Sequence, residues 1–140
     1  MKSLPRVLLL FAFLGCIAAP AAISGISRDE AIQNPSNIPV SWNATGKPTP
    51  ERIQRAIIAG CARRSWQCTP AMPGEIRAVL YVRQHMAEAL IKFDTASFSI
   101  TYVNSTELRF NAAKKTIHRK YNLWVINLIT DINAAIAAIQ

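Results

Sequence analysis

Residues Glu75–Val103, EIRAVLYVRQHMAEALIKFDTASFSITYV, decide the fold. Ile76, Ala78, Leu80 and Val82 alternate with Glu75, Arg77, Val79, Tyr81 and Arg83. His85, Ala87, Ala89, Ile91 and Phe93 then alternate with Met86, Glu88, Leu90, Lys92 and Asp94. Phe98, Ile100 and Tyr102 alternate with Ser97, Ser99 and Thr101, which is the cleanest such run in the chain. A period of two sends successive side chains to opposite faces, so each run predicts a strand with one face in a core. The connections are too short for a parallel crossover, which leaves an antiparallel meander.

Helical patterns flank this meander. In PTPERIQRAIIAGCARR, Thr49 can cap, Pro50 suits the first helical position and Glu51 suits the positive end of the dipole. Ile53, Ala56, Ile57, Gly60 and Cys61 share one face of that helix, with Arg52, Arg55, Ala59 and Arg63 opposite. Downstream, Ile117, Tyr121, Trp124, Val125, Leu128, Ile132, Ala135 and Ile139 form a stripe that predicts a long final helix beginning near Ile117. Residues 104–111 read as a loop with a brief fourth strand through Leu108, Arg109 and Phe110. The expected architecture is α+β: a single α-β-β-β-α domain over residues 49–140, with a three- or four-stranded antiparallel meander covered on one face by two helices. Residues 22–48 carry Pro35, Pro39 and Gly46 without a sustained period and read as an extended polar arm, with a short edge strand in NIPVSW.

The first 21 residues read as an export leader. Lys2 and Arg6 precede an apolar run from Val7 to about Ala18, and Ala19-Pro20-Ala21 offers a cleavage site. The run is shorter than the roughly 20 residues a membrane span needs. A second processing route is lipidation at Cys16 of Phe13-Leu14-Gly15-Cys16, which would place the protein on the outer membrane instead of free in the periplasm. The chain of 140 residues has 16 Lys and Arg against 8 Asp and Glu, and it stays basic after Lys2 and Arg6 leave with the leader. Export removes nucleic acid as the usual partner of such charge. In an oxidising compartment Cys61 and Cys68, seven apart, predict a disulfide.

Chemistry concentrates in IHRKYNLW, Ile117–Trp124. Ile117, Tyr121 and Trp124 belong to the apolar stripe, whereas His118 and Asn122 lie four apart at its edge, able to bond each other, a loop carbonyl or a ligand. Lys114, Lys115, Arg119 and Lys120 oppose the dipole of a helix that starts here, and with Thr116 they sketch an anion site. The expected contact surface is therefore Lys114, Lys115, Thr116, His118, Arg119 and Asn122. No catalytic motif, metal-ligand spacing or cofactor box accompanies it.

Three elements carry a resemblance: Arg64-Ser65-Trp66 after the first helix, Arg83-x-His85 with Tyr102-x-x-Ser105, and I-H-x-x-Y-N-x-W from Ile117 to Trp124. With the meander they make the chain similar to small exported proteins and lipoproteins of proteobacteria. The resemblance implies a periplasmic or envelope setting and brings no established activity; Phe13 and Leu14 depart from the lipoprotein pattern. The function expected from all this is a non-catalytic binding module for an envelope protein or an acidic envelope component. The membrane is a partner only if Cys16 is lipidated. An alternative is a small periplasmic hydrolase using His85, His118 and a carboxylate. A structural role, with the sheet face of Val79, Tyr81 and Leu90 docking a neighbour, is a third.

Overall fold

The computed structural model describes residues 27–139, so the leader and the lipidation alternative at Cys16 lie outside the described residues. In chain order the elements are β1 (Asp29–Ala31), β2 (Ile38–Pro39), α1 (Pro50–Ala62), β3 (Gln67–Met72), β4 (Glu75–Val82), β5 (His85–Phe93), β6 (Ser97–Thr106), β7 (Thr116–His118) and α2 (Lys120–Ala137). They form an α+β unit with an antiparallel sheet in the order β2-β6-β5-β4-β3 and a separate two-stranded ribbon of β1 and β7.

The expected meander is β4-β5-β6, with Ala78 opposite Ala89 and Ile91 opposite Ile100. Its tight turns have local causes. Gly74 (φ +76) follows Pro73 between β3 and β4, the positive φ that a Pro-Gly turn requires at its second central residue. Between β5 and β6 the Asp94 carboxylate accepts from the Ala96 and Ser97 N–H groups, both at 2.7 Å. Those two backbone donors hold the Asp94 carboxyl below its ordinary pKa.

Ile76, Ala78, Leu80, Ala87, Ala89, Ile91, Phe93, Phe98 and Ile100 make the buried face of the sheet, and both helices lie against it. Helix α1 begins as its sequence requires, with the Thr49 hydroxyl accepting from Arg52 N–H and Pro50 in the first turn. Ile53, Ile57 and Cys61 are fully buried beneath it. Helix α2 contributes Tyr121, Val125, Leu128, Ile132 and Ile136. Its Tyr121 ring meets Tyr102 edge-on at 5.4 Å, and Tyr102 stacks in turn on Phe110 at 4.5 Å. The Tyr102 hydroxyl is hydrogen-bonded to Ser105 at 2.9 Å, which accounts for the Tyr-x-x-Ser spacing.

The structure corrects the sequence reading in four places. The sheet has five strands, because Gln67–Met72 pairs with β4. That segment is an edge strand, exposed almost throughout and containing Pro70, so it shows no alternation. The fourth strand expected through Leu108, Arg109 and Phe110 does not form; Glu107 and Arg109 adopt positive φ and Leu108 alone turns into the core. Helix α2 starts at Lys120 and not near Ile117, because Thr116–His118 pairs with Asp29–Ala31. Trp124 is half-buried at the rim, whereas Val79, expected on the open sheet face, is buried.

Candidate functional site

The arm is pinned from Arg28 to Val40. Beyond β1, Ile32 N–H donates to Lys115 O, Pro35 O accepts from Ile100 N–H and Val40 N–H donates to Ala96 O. The Asn34 side chain accepts from Tyr102 N–H at 2.8 Å. The bonds of Asn34, Pro35 and Val40 continue the short β2 pairing along β6 and close that edge of the sheet against unwanted strand addition.

Asn122 is the clamp. It is 3% exposed; its Oδ1 accepts from Gln33 N–H at 3.1 Å, and its Nδ2 donates to Ala31 O at 3.0 Å and Glu30 Oε2 at 3.4 Å. Of the partners open to it, Asn122 thus takes arm backbone and Glu30 instead of His118. It serves the site by fixing the arm beside α2.

His118 has a different task. Lys120 N–H donates to His118 Nδ1 at 3.2 Å, while Arg119, the N-cap residue, offers no side-chain cap. The imidazole therefore satisfies one of the four orphan donors at the head of α2, and to do so it must keep Nδ1 unprotonated. Burial and the Lys120 charge push its pKa below the ordinary value, with Arg109 and His85 adding to that and Asp29 opposing it. A depressed pKa in the folded state means that the unfolded chain binds the proton more tightly. The stabilisation is therefore complete above the ordinary histidine range and is lost as pH falls through the folded-state value. Urea titrations from pH 7.5 down to pH 5 should show that loss, and His118→Asn, which keeps an acceptor without titrating, should flatten the slope. An unchanged slope in that variant removes His118 from the account.

Two of the backbone donors of the anion hole expected here are taken: Arg119 N–H donates to Arg28 O and Lys120 N–H to His118, which shifts the weight of any anion attraction to side-chain charge. Arg119 and Lys120 are exposed at the head of α2. Lys114 and Lys115 lie elsewhere, in the tight turn closed by the Asn111–Thr116 bridge, and Thr116 uses both its backbone groups on Asn111. The six expected residues thus separate into a hairpin tip (Lys114, Lys115, Thr116) and a corner where His118, Arg119 and Asn122 meet the arm.

Two grooves flank that corner. One, of about 460 Å³, is lined by Glu30, Gln33, Arg119, Lys120, Asn122, Leu123 and Ile126. The other, of about 340 Å³, is lined by Val82, Arg83, His85, Lys120, Leu123 and Trp124. Lys120 and Leu123 form the ridge between them. Leu123 is 54% exposed and Ile126 48%, neither of them foreseen as part of the site. A sequence signal did exist: from Tyr121 to Ile139 the single charged residue is Asp131. Asp131 is buried and ion-paired with Arg64 at 2.6 Å, so the outward side of α2 carries no charge beyond Lys120.

His85 and His118 both reach the loop after β6, His85 Nδ1 bonding to the Glu107 carbonyl and His118 N–H to the Leu108 carbonyl. Among the described residues no carboxylate is hydrogen-bonded to either ring. His85 Nδ1 lies 2.8 Å from the Glu107 carbonyl and must be the donor, while Asp29 is ion-paired with Arg109 at 3.1 Å. The His85 ring meets Trp124 at 6.3 Å. Among the described residues no group of three or more His, Cys, Asp or Glu is arranged to hold a metal ion. No protein-family model, curated protein or solved structure matches the chain.

Proposed function

We propose that the protein is an exported, non-catalytic binding module that engages an acidic partner in the cell envelope through the corner formed by the arm and the head of α2. The observation that carries this reading is the placement of Arg119 and Lys120 beside exposed Leu123 and Ile126, in a groove whose far wall is the pinned arm. Cations at a helix N-terminus oppose the macrodipole, each costing about 0.3–1 kcal/mol at the surface. Residues that lower local stability without serving packing are the kind retained for function. Periplasmic location accords with the Cys61–Cys68 disulfide.

The test exploits the same conflict with the dipole. Arg119→Glu combined with Lys120→Glu should leave the fold as stable as before or slightly more so, because acids suit this helix end. Polyglutamate and phosphorylated glycan fragments should shift the backbone amide signals of Lys120, Leu123 and Gln33 in a salt-sensitive way, and the double variant should lose those shifts. Shifts that persist in the variant, or that cluster only at Lys114 and Lys115, overturn the reading.

A small hydrolase is the second reading, favoured by the convergence of His85 and His118. Because His85 Nδ1 donates to a carbonyl, its Nε2 is left with a lone pair in a groove with Arg83 and Lys120. Hydrolysis of simple ester or phosphodiester substrates that disappears in His85→Ala would move the assignment to this reading.

A further inference from the structure

We propose that the outward face of α2 rests on the anionic surface of a phospholipid membrane, with Arg119 and Lys120 at the headgroups and Leu123 and Ile126 sunk just below them. This deepens the binding reading above, on which it rests, by naming the partner.

The first support is the composition of the face. Leu123, Ile126, Thr130, Ala134 and Ala137 are all exposed, and the one acid of this helix is turned inward to Arg64. A helix with apolar residues all round is normally covered on every side. Here one side is covered by α1 and the sheet, and among the described residues nothing covers the other. Interfacial helices show the same combination of an apolar strip and cationic residues beside it. No described helix is long and apolar enough to cross a membrane, and α2 is committed to the core on its inner side, so it would lie on the surface and not pass through it.

Charge supplies the second support. Arg119, Lys120 and Arg83 line the two grooves, and Arg28 is bonded through its carbonyl to Arg119 N–H. The one acid among the lining residues, Glu30, is hydrogen-bonded to the Asn122 amide. A second copy of so basic a chain would bring like charges together, whereas anionic lipid offers negative charge and an apolar layer in one surface. Half-buried Trp124 at the groove edge suits the headgroup level, where amphipathic rings settle.

The experiment uses the protein exported with its own leader and purified after processing. Cosedimentation is measured with vesicles of phosphatidylethanolamine plus phosphatidylglycerol and with vesicles of phosphatidylcholine alone. Binding should favour the anionic vesicles, and that excess over phosphatidylcholine should fall about tenfold as salt is raised to physiological strength. Arg119→Glu with Lys120→Glu should weaken it about tenfold or more. Leu123→Ser with Ile126→Ser, which alters exposed side chains and should fold normally by circular dichroism, should weaken it without removing the salt dependence. Equal binding to both vesicle types, no binding, or binding unaffected by either double variant overturns the proposal. An acyl chain at Cys16 would be common to all forms and would act on both vesicle types. Salt-sensitive polyglutamate binding without vesicle binding sinks the lipid assignment and leaves the binding module standing; loss of both sinks both.

Discussion

Gly60→Val is expected to lower the unfolding free energy by about 3 kcal/mol or more, and even Gly60→Ala by about 1–2 kcal/mol. An ordinary exposed helical glycine would respond in the opposite sense, since alanine is favoured there by about 1 kcal/mol. What reverses the sign is the crossing of α1 and α2. A Cβ on Gly60 would stand 2.7 Å from Ile132 Cα, 2.9 Å from Ile132 N and 3.0 Å from Asp131 O. All three are backbone atoms, so no side chain can rotate aside and the helices must separate. Separation would open the contacts of Ile57 and Ile132, both fully buried, and draw Asp131 from Arg64. Urea unfolding of the three forms measures the differences; Gly60→Ala as stable as the natural protein would show that the helices do not meet there. Against a typical total of about 5–15 kcal/mol, the valine form should be only marginally folded.

How far the fold was legible in the sequence follows from how each element is buried. Strands β4, β5 and β6 each turn one face into the core and leave the other less buried, so their alternation records their orientation. Helix α1 carries its start signals beside its first residue and was placed correctly for that reason. Strand β3 is exposed on both faces at the sheet edge, and a strand with no buried face leaves no periodic trace. The start of α2 was misplaced because Ile117 is a core residue in either conformation: its side chain satisfies a helical stripe, while its backbone belongs to the ribbon with β1. Pairing between residues about ninety positions apart is invisible to any local pattern.

The site divides in the same way. Asn122 stands out in the sequence as a polar residue at the edge of the stripe, yet its partners, Gln33, Ala31 and Glu30, lie in an arm whose course nothing local specifies. Lys114 and Lys115 were drawn in by their nearness in sequence to Arg119, and the ribbon parts them. The outward strip of α2 is uncharged in the sequence as well, but it shares its helix with a longer inward stripe that dominates the periodicity. A helix read only for what it buries gives no warning about what it leaves in water.

Breaking the Cys61–Cys68 bond should cost about 2.5 kcal/mol, the value chain entropy gives for so short a loop, and the loss should be felt first in β3. The bond joins residues only seven apart, with Cα atoms 6.1 Å from each other, so it restricts the unfolded chain locally and does not tie distant parts together. Strand β3 has little else to hold it. Four of its six residues pair with β4 before the register slips near Pro70, and nearly all its side chains face water. Cys61, by contrast, is fully buried under α1, and neighbouring Trp66 is 3% exposed, so the bond fastens a poorly packed edge to a well-packed helix. Hydrogen exchange in Cys61→Ala with Cys68→Ala should accelerate most at Gln67–Met72, with the β5–β6 ladder affected only through the global loss. Reductant should reproduce the effect in the natural protein and have none in the variant. Uniform acceleration across all strands would mean that the bond acts on the whole fold; undiminished stability would mean that α1 and β4 hold the edge unaided. Acceleration concentrated in β3 would fit an edge strand that is secured chemically because it has too little apolar surface to be held by packing.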